Sequence, residues 1–347
     1  MLGEIDGRHS LVGFAAAAAI IVVLLWVVGF DEVAAAFALV RPAALLAVAG
    51  VALLWMLAWA LGLRTVLAML DIRIPVTGAF LIQAAVQFTN NVTPFGQAGG
   101  EPISALFISR TVDAEYETGL AAIASVDAIN FLPSIAFALV GLAYYAVVFT
   151  LGPRLRQAAV VIALVIVVLA AIGYAAWRYR DRLEELSVRA LAPVLRVAGR
   201  ALPFRRAPDR AVVRAHVRGF YRDVGRLTDQ PGRLAVAIGY SAAGWLCLVG
   251  SLWLSLYSLG YPVPVAVLLV VIPLGAVASI APLPGGLGGI EAVLVLVLVP
   301  TTGVPAAVAG AAVIVHRAAV YWLPVVVGGA AAAFLSSGVR FDSPSGE

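Results

Sequence analysis

Apolar residues run in long blocks along this chain, and polar positions interrupt them in two different ways. The blocks 11–30, 42–63, 118–149, 155–177, 233–257 and 304–335 each reach the roughly 20 residues that an α-helix needs to cross a bilayer, and each predicts a membrane span. The first, LVGFAAAAAIIVVLLWVVGF, is longer than the apolar core of a secretory leader and predicts a retained helix. Pro133 and Pro324 fall inside two of the blocks and mark expected kinks. Two further stretches, 76–109 and 264–299, are apolar at both ends but broken by TNNVTPFGQAGGEP and APLPGGLGGIE. Non-helical backbone persists at membrane depth only where protein or a wet cavity shields it, because lipid cannot satisfy its polar groups. Each stretch therefore predicts a broken or re-entrant pair of half-helices.

Composition fixes the class. Of 347 residues, 63% are hydrophobic and 12% charged, against about 45–50% and about 25% in soluble domains. The expected fold is an all-α, polytopic integral membrane helix bundle, one domain over 1–335 with a short tail at 336–347. A single cysteine, Cys247, excludes a disulfide framework, and His9, His216 and His316 are scattered over different blocks, which argues against a metal centre. No phosphate-binding G-x-x-x-x-G-K-[ST] loop occurs. The chain is expected to need no cofactor, bind no nucleic acid and catalyse no reaction; homo-oligomerisation stays open.

The segment 178–232 carries thirteen arginines against six acids, so the positive-inside rule makes it cytoplasmic. Counting spans outward from it puts both termini in the cytoplasm of a multi-pass cell-membrane protein, with the two broken stretches entering from opposite faces. Within this segment Arg210, Arg214, Arg218, Arg222 and Arg226 recur every four residues beside an apolar stripe of Val213, Val217, Phe220, Val224 and Leu227. Like charges at this spacing repel in an isolated helix. One reading is an interfacial helix whose arginines meet anionic lipid headgroups; the other is a solvated helix that serves only as a topology signal.

The two breaks share a pattern. PFGQAGGE (94–101) and PGGLGGIE (284–291) both read P-x-G-x-x-G-x-E, offset by 190 residues. Gly96 aligns with Gly286, Gly99 with Gly289 and Glu101 with Glu291. The same offset brings Asp127 onto Arg317. The chain thus divides into four-element halves, 11–149 and 155–335, the inverted-repeat layout of transporters whose substrate site lies near the midplane, where broken helices meet. Glycines permit the turns, and the helix ends beyond them are positive and attract anions. Glu101 and Glu291 either complement those helix ends or also meet a cationic or hydroxyl-bearing part of a ligand.

Asp127 and Arg317 lie deep inside apolar blocks, where a charge is costly and faces the bundle interior. Arg317 either forms a salt bridge, to Asp127 or to a glutamate, or holds a lipid phosphate through charge-assisted hydrogen bonds. His316, Tyr321 and Asn130 are candidate polar lining, although His316 points about 100° away from Arg317 on a helix. Gln83, Gln87, Asn90 and Asn91 form one polar stripe, read either as helix-to-helix hydrogen bonding or as a wetted groove for a headgroup.

The blocks TPFGQAGGEPISALFISR (93–110), PLPGGLGGIEA (282–292) and HRAAVYWLP (316–324) resemble the transmembrane region of the lysylphosphatidylglycerol synthase/flippase family. The resemblance spans roughly residues 11 to 335. It implies a lipid-translocating membrane domain and places Glu101, Glu291 and Arg317 on the translocation path. No soluble aminoacyltransferase domain follows the last block, so lipid synthesis is not expected of this polypeptide. The expected function is a flippase or scramblase for a phosphate-bearing lipid, aminoacylated or glycosylated. A small-solute secondary transporter with a midplane site and a scaffold recruiting a cytoplasmic partner through its arginine-rich loop are the alternatives.

Overall fold

A computed structural model describes residues 40–93, 97–148, 218–219, 222–280, 283–339 and 341, with positions 31, 35 and 38. The expected spans 11–30 and 155–177, most of the basic segment with Arg210 and Arg214, Gly96, and the tail beyond 341 lie outside the described residues. Among the described residues nine α-helices follow one another: α1 Pro42–Met69, α2 Val76–Val92, α3 Gln97–Thr111, α4 Tyr116–Val148, α5 Pro231–Ser258, α6 Val265–Val277, α7 Gly289–Thr302, α8 Ala306–Arg317 and α9 Leu323–Ser336. A further helical turn covers 222–228. No strand occurs among the described residues.

Local sequence explains the boundaries. Pro42 and Pro231 open α1 and α5 at their first positions, where a missing N–H costs nothing. Helix α4 runs on through Pro133. The block 304–335 forms α8 and α9, joined by a wide π-helical turn at Ala318–Trp322 two residues ahead of Pro324. The proline ring crowds the preceding turn, and a wider turn is one way to accommodate it. Among the described residues five helical stretches are long and apolar enough to cross a membrane. One of them, Pro284–Thr302, includes the second break, and its α-helical part is only 14 residues long. Leu46, Leu54, Phe131, Leu296 and Val326 are all exposed, as a lipid-facing surface requires. The protein is an all-α, multi-pass membrane protein.

Three large apolar clusters, and a small fourth one of Leu283, Leu287 and Tyr321, hold the described helices together. The second half of α1 packs with α2, α3 and α4; α5 to α8 form the second cluster; the first half of α1 joins α8, the π turn and α9 in the third. Contacts within a membrane rely on close packing rather than on hydrophobic expulsion. The crossing of α9 over α2 shows this: Gly328 lies directly against the Ala84 carbonyl, where any side chain would collide. The last described helix is thereby fastened to α2.

Two further fastenings lie at the loop ends. The Phe341 N–H donates to the Thr111 carbonyl at 2.9 Å, and its ring covers Gly78, tying the end of α3 to the start of α2. In the turn 222–228, buried Asp223 accepts from Thr118 Oγ1 at 3.0 Å, and Leu227 enters the first cluster. Arg222 and Arg226 point outward from the same turn. The described part of the apolar stripe therefore packs against the bundle rather than lying free on a surface.

Candidate functional site

At the second break the chain leaves α6 and turns tightly at Ala278–Ile280 and again at Pro284–Gly286 before α7 begins. Gly285 and Gly286 take φ of +53° and +66°, the left-handed region that residues with a Cβ avoid. Gly285 is also enclosed: a Cβ there would stand 3.0 Å from Asn91 Cα and press on the Tyr321 ring. This turn carries α7 back into the bundle with Glu291 in its first helical turn, where unpaired N–H groups make the end positive.

Glu291 is 6% exposed and Arg317 8%, so both charges are buried. Arg317 Nε donates to Glu291 Oε1 at 2.7 Å, and Nη2 donates to the Gly285 carbonyl at 3.2 Å. The guanidinium carbon sits 4.9 Å from the centre of the Tyr321 ring, within cation–π range. Tyr321 in turn reaches the first half. Its hydroxyl donates to the Asn91 carbonyl at 3.1 Å, and Asn91 Nδ2 donates to the Tyr321 carbonyl at 3.4 Å. Asn91 lies one residue from the end of α2. The Pro284–Gly286 turn packs on α2, and Ala278–Ile280 touches α3. Helix α2, the Pro284–Gly286 turn and α7 thus meet at the Arg317–Tyr321 pair.

The cluster is incompletely satisfied. A guanidinium has five N–H donors, and two of Arg317's are used by protein groups. Glu291 Oε2 is buried with no hydrogen-bond partner among the described residues, and so is Asn90 Oδ1. Leaving such an atom unpaired costs about 1–3 kcal/mol. Water or a ligand with donors and acceptors would recover that cost. A buried charge pair, a spare set of donors and a vacant carboxylate oxygen can together hold an anionic group that also presents a hydrogen.

Other residues singled out from the sequence fall elsewhere. His316 turns away from Arg317, and its Nδ1 lies 2.9 Å from Ser251 Oγ on α5. Asn130 accepts from Ser241 Oγ at 2.7 Å through Oδ1 and from Trp245 Nε1 at 2.9 Å through its carbonyl. It joins α4 to α5 and is not at the cluster. Asp127 is half-buried on α4 and forms no ion pair with Arg317, whose acidic partner is Glu291. Glu101 is half-buried as the fifth residue of α3. Gly99 lies within the first turn of α3, and Gly289 opens α7. Sequence reasoning missed the Gly285 and Asn91 carbonyls as acceptors, together with Ser241, Ser251 and Trp245. Backbone acceptors leave no mark in a sequence, and serine is too common in apolar helices to stand out.

The chain is similar to known proteins that are named as membrane proteins. A UPF0104 membrane protein of Methanothermobacter thermautotrophicus is 27% identical over 337 residues, covering 93% of this chain and 92% of that protein. A UPF0104 membrane protein of Pyrococcus horikoshii is 25% identical over 248 residues, 70% of this chain and 72% of that one. Residues 10–328 match the family described as the lysylphosphatidylglycerol synthase TM region, and the chain belongs to that family.

Proposed function

We propose that the protein moves a phosphate-bearing lipid between the leaflets of its membrane, with the headgroup passing the Glu291–Arg317–Tyr321 cluster while the acyl chains stay in the bilayer. The observation that carries this reading is the buried Arg317, which keeps donors free of protein acceptors beside the vacant Glu291 Oε2. An arginine presenting several N–H groups in a fixed plane suits phosphate oxygens. A purely structural ion pair would be expected to satisfy both partners. Family membership supports a lipid-related role. In this reading the two halves are inverted repeats, the breaks are re-entrant, and Glu101, Asp127, Asn90 and Asn91 lie along the polar route into the cluster. The outward-pointing Arg222 and Arg226 rest against anionic headgroups at the cytoplasmic surface.

The test is leaflet exchange in proteoliposomes. Fluorescent phosphatidylglycerol placed in both leaflets is bleached from outside with an impermeant reductant. The wild-type protein is expected to expose the inner pool; Arg317→Gln of equal abundance and monodispersity is expected not to. Full exchange by that variant would end the reading. Uptake of a soluble phosphate compound without lipid exchange would favour a small-solute transporter.

A further inference from the structure

We infer that each anionic lipid crosses with one proton, carried on Oε2 of Glu291; this rests on the transport reading above. The argument is one of charge. Arg317 and Glu291 form a neutral buried pair, 2.7 Å apart at Nε and Oε1. A headgroup with a single negative charge that docks on the spare Arg317 donors leaves the pocket one charge negative. Burying a net charge is costly unless something neutralises it. Among the described residues the pocket supplies no second cation.

The surroundings of Glu291 bear this out. Helix α7 packs against α6, the Ala278–Ile280 turn and α8. Neither α6 nor residues 278–288 contain a titratable side chain. Helix α8 contributes Arg317 and His316, and His316 is engaged with Ser251 on the far side. Beyond α8, Tyr321 donates its hydroxyl to the Asn91 carbonyl. Glu101 on α3 is one element removed, because α3 reaches the Ala278–Ile280 turn. The acceptor adjoining the guanidinium that lacks a hydrogen is Glu291 Oε2.

Protonation there balances the charge and adds a bond. Before binding, the pair sums to zero; afterwards one guanidinium, one phosphate diester and one neutral carboxyl again sum to zero. Oε1 keeps its bond to Arg317 Nε while the new Oε2–H donates to a phosphate oxygen. When the lipid leaves on the other side, the proton leaves with it. The coupled movement is electroneutral symport of a lipid anion and a proton. A zwitterionic headgroup brings its own positive charge and needs no proton.

The experiment uses the full-length protein in phosphatidylcholine vesicles carrying a trace of fluorescent phosphatidylglycerol. Membrane potential is clamped with potassium and valinomycin, and a gradient of one pH unit is imposed. One proton per lipid drives the label into the leaflet facing the alkaline side by about tenfold, since a one-unit gradient is one factor of ten in equilibrium constant. Fluorescent phosphatidylcholine should stay evenly divided. Exchange of phosphatidylglycerol with an even final distribution overturns the coupling and leaves the transport reading standing. No exchange by the wild type removes both. Glu291→Gln should abolish the asymmetry, and a variant that still concentrates the label overturns the assignment to Glu291. Where Glu291→Gln exchanges nothing, Glu101→Gln and Asp127→Asn decide: loss of the asymmetry in either, with exchange retained, moves the proton off Glu291.

Discussion

The two Gly/Pro breaks carry the same P-x-G-x-x-G-x-E spacing, yet their glutamates live in different surroundings. Glu291 is buried in the first turn of α7 and paired with Arg317. Glu101 sits one turn into α3, half-exposed, with no ion pair among the described residues. The position 190 residues before Arg317 is Asp127, an acid in place of the base. The second motif's glutamate thus meets a base, whereas the corresponding positions at the first motif, Glu101 and Asp127, are both acids. Equal sequence spacing fixes where the chain can turn; the residue on the neighbouring helix decides whether the carboxylate at the turn becomes half of a buried pair.

The largest effect that separates the halves is expected from Arg317→Gln. Removing one member of a buried pair strands the other and costs about 3–5 kcal/mol, read as a fall in thermal midpoint of the purified protein. Glu101→Gln, the contrasting change, should stay within about 0.5 kcal/mol, as half-exposed polar substitutions do. Equal losses in the two variants would erase the distinction. Next comes Gly285→Ala: a left-handed φ costs an L-residue about 1–2 kcal/mol, and contact with Asn91 and Tyr321 adds to it. Tyr321→Phe removes only the hydroxyl bond to Asn91 and should cost about 1 kcal/mol. Arg222→Gln belongs with Glu101→Gln at the small end, within about 0.5 kcal/mol, because its 3.5 Å contact with Asp223 lies at an exposed guanidinium.

Much of the fold can be read in the sequence because lipid imposes a simple rule. Blocks of about 20 apolar residues become spans, and α1, α4 and α5 form where the blocks 42–63, 118–149 and 233–257 predict them. Glycine and proline likewise announce the breaks. Partner choice is less legible. Asp127 and a glutamate were equal candidates for Arg317, since which helix faces which is a tertiary matter. Polar residues such as Asn130 and His316 read equally well as cavity lining or as glue between helices; in the structure they bond Ser241 and Ser251 across helices. The π turn at Ala318–Trp322 is written only faintly, in Pro324 two residues after it.

The Phe341 fastening has a mechanical consequence. Its amide holds the last turn of α3 and its ring caps Gly78 at the foot of α2, so the two arms are riveted at the end remote from their glycines. Tongs pinned at the handles part only at the tips. Any spreading of these arms is steered to their opposite ends, where α2 carries Asn91, and cutting the rivet by truncation before Phe341 would let the wrong end swing.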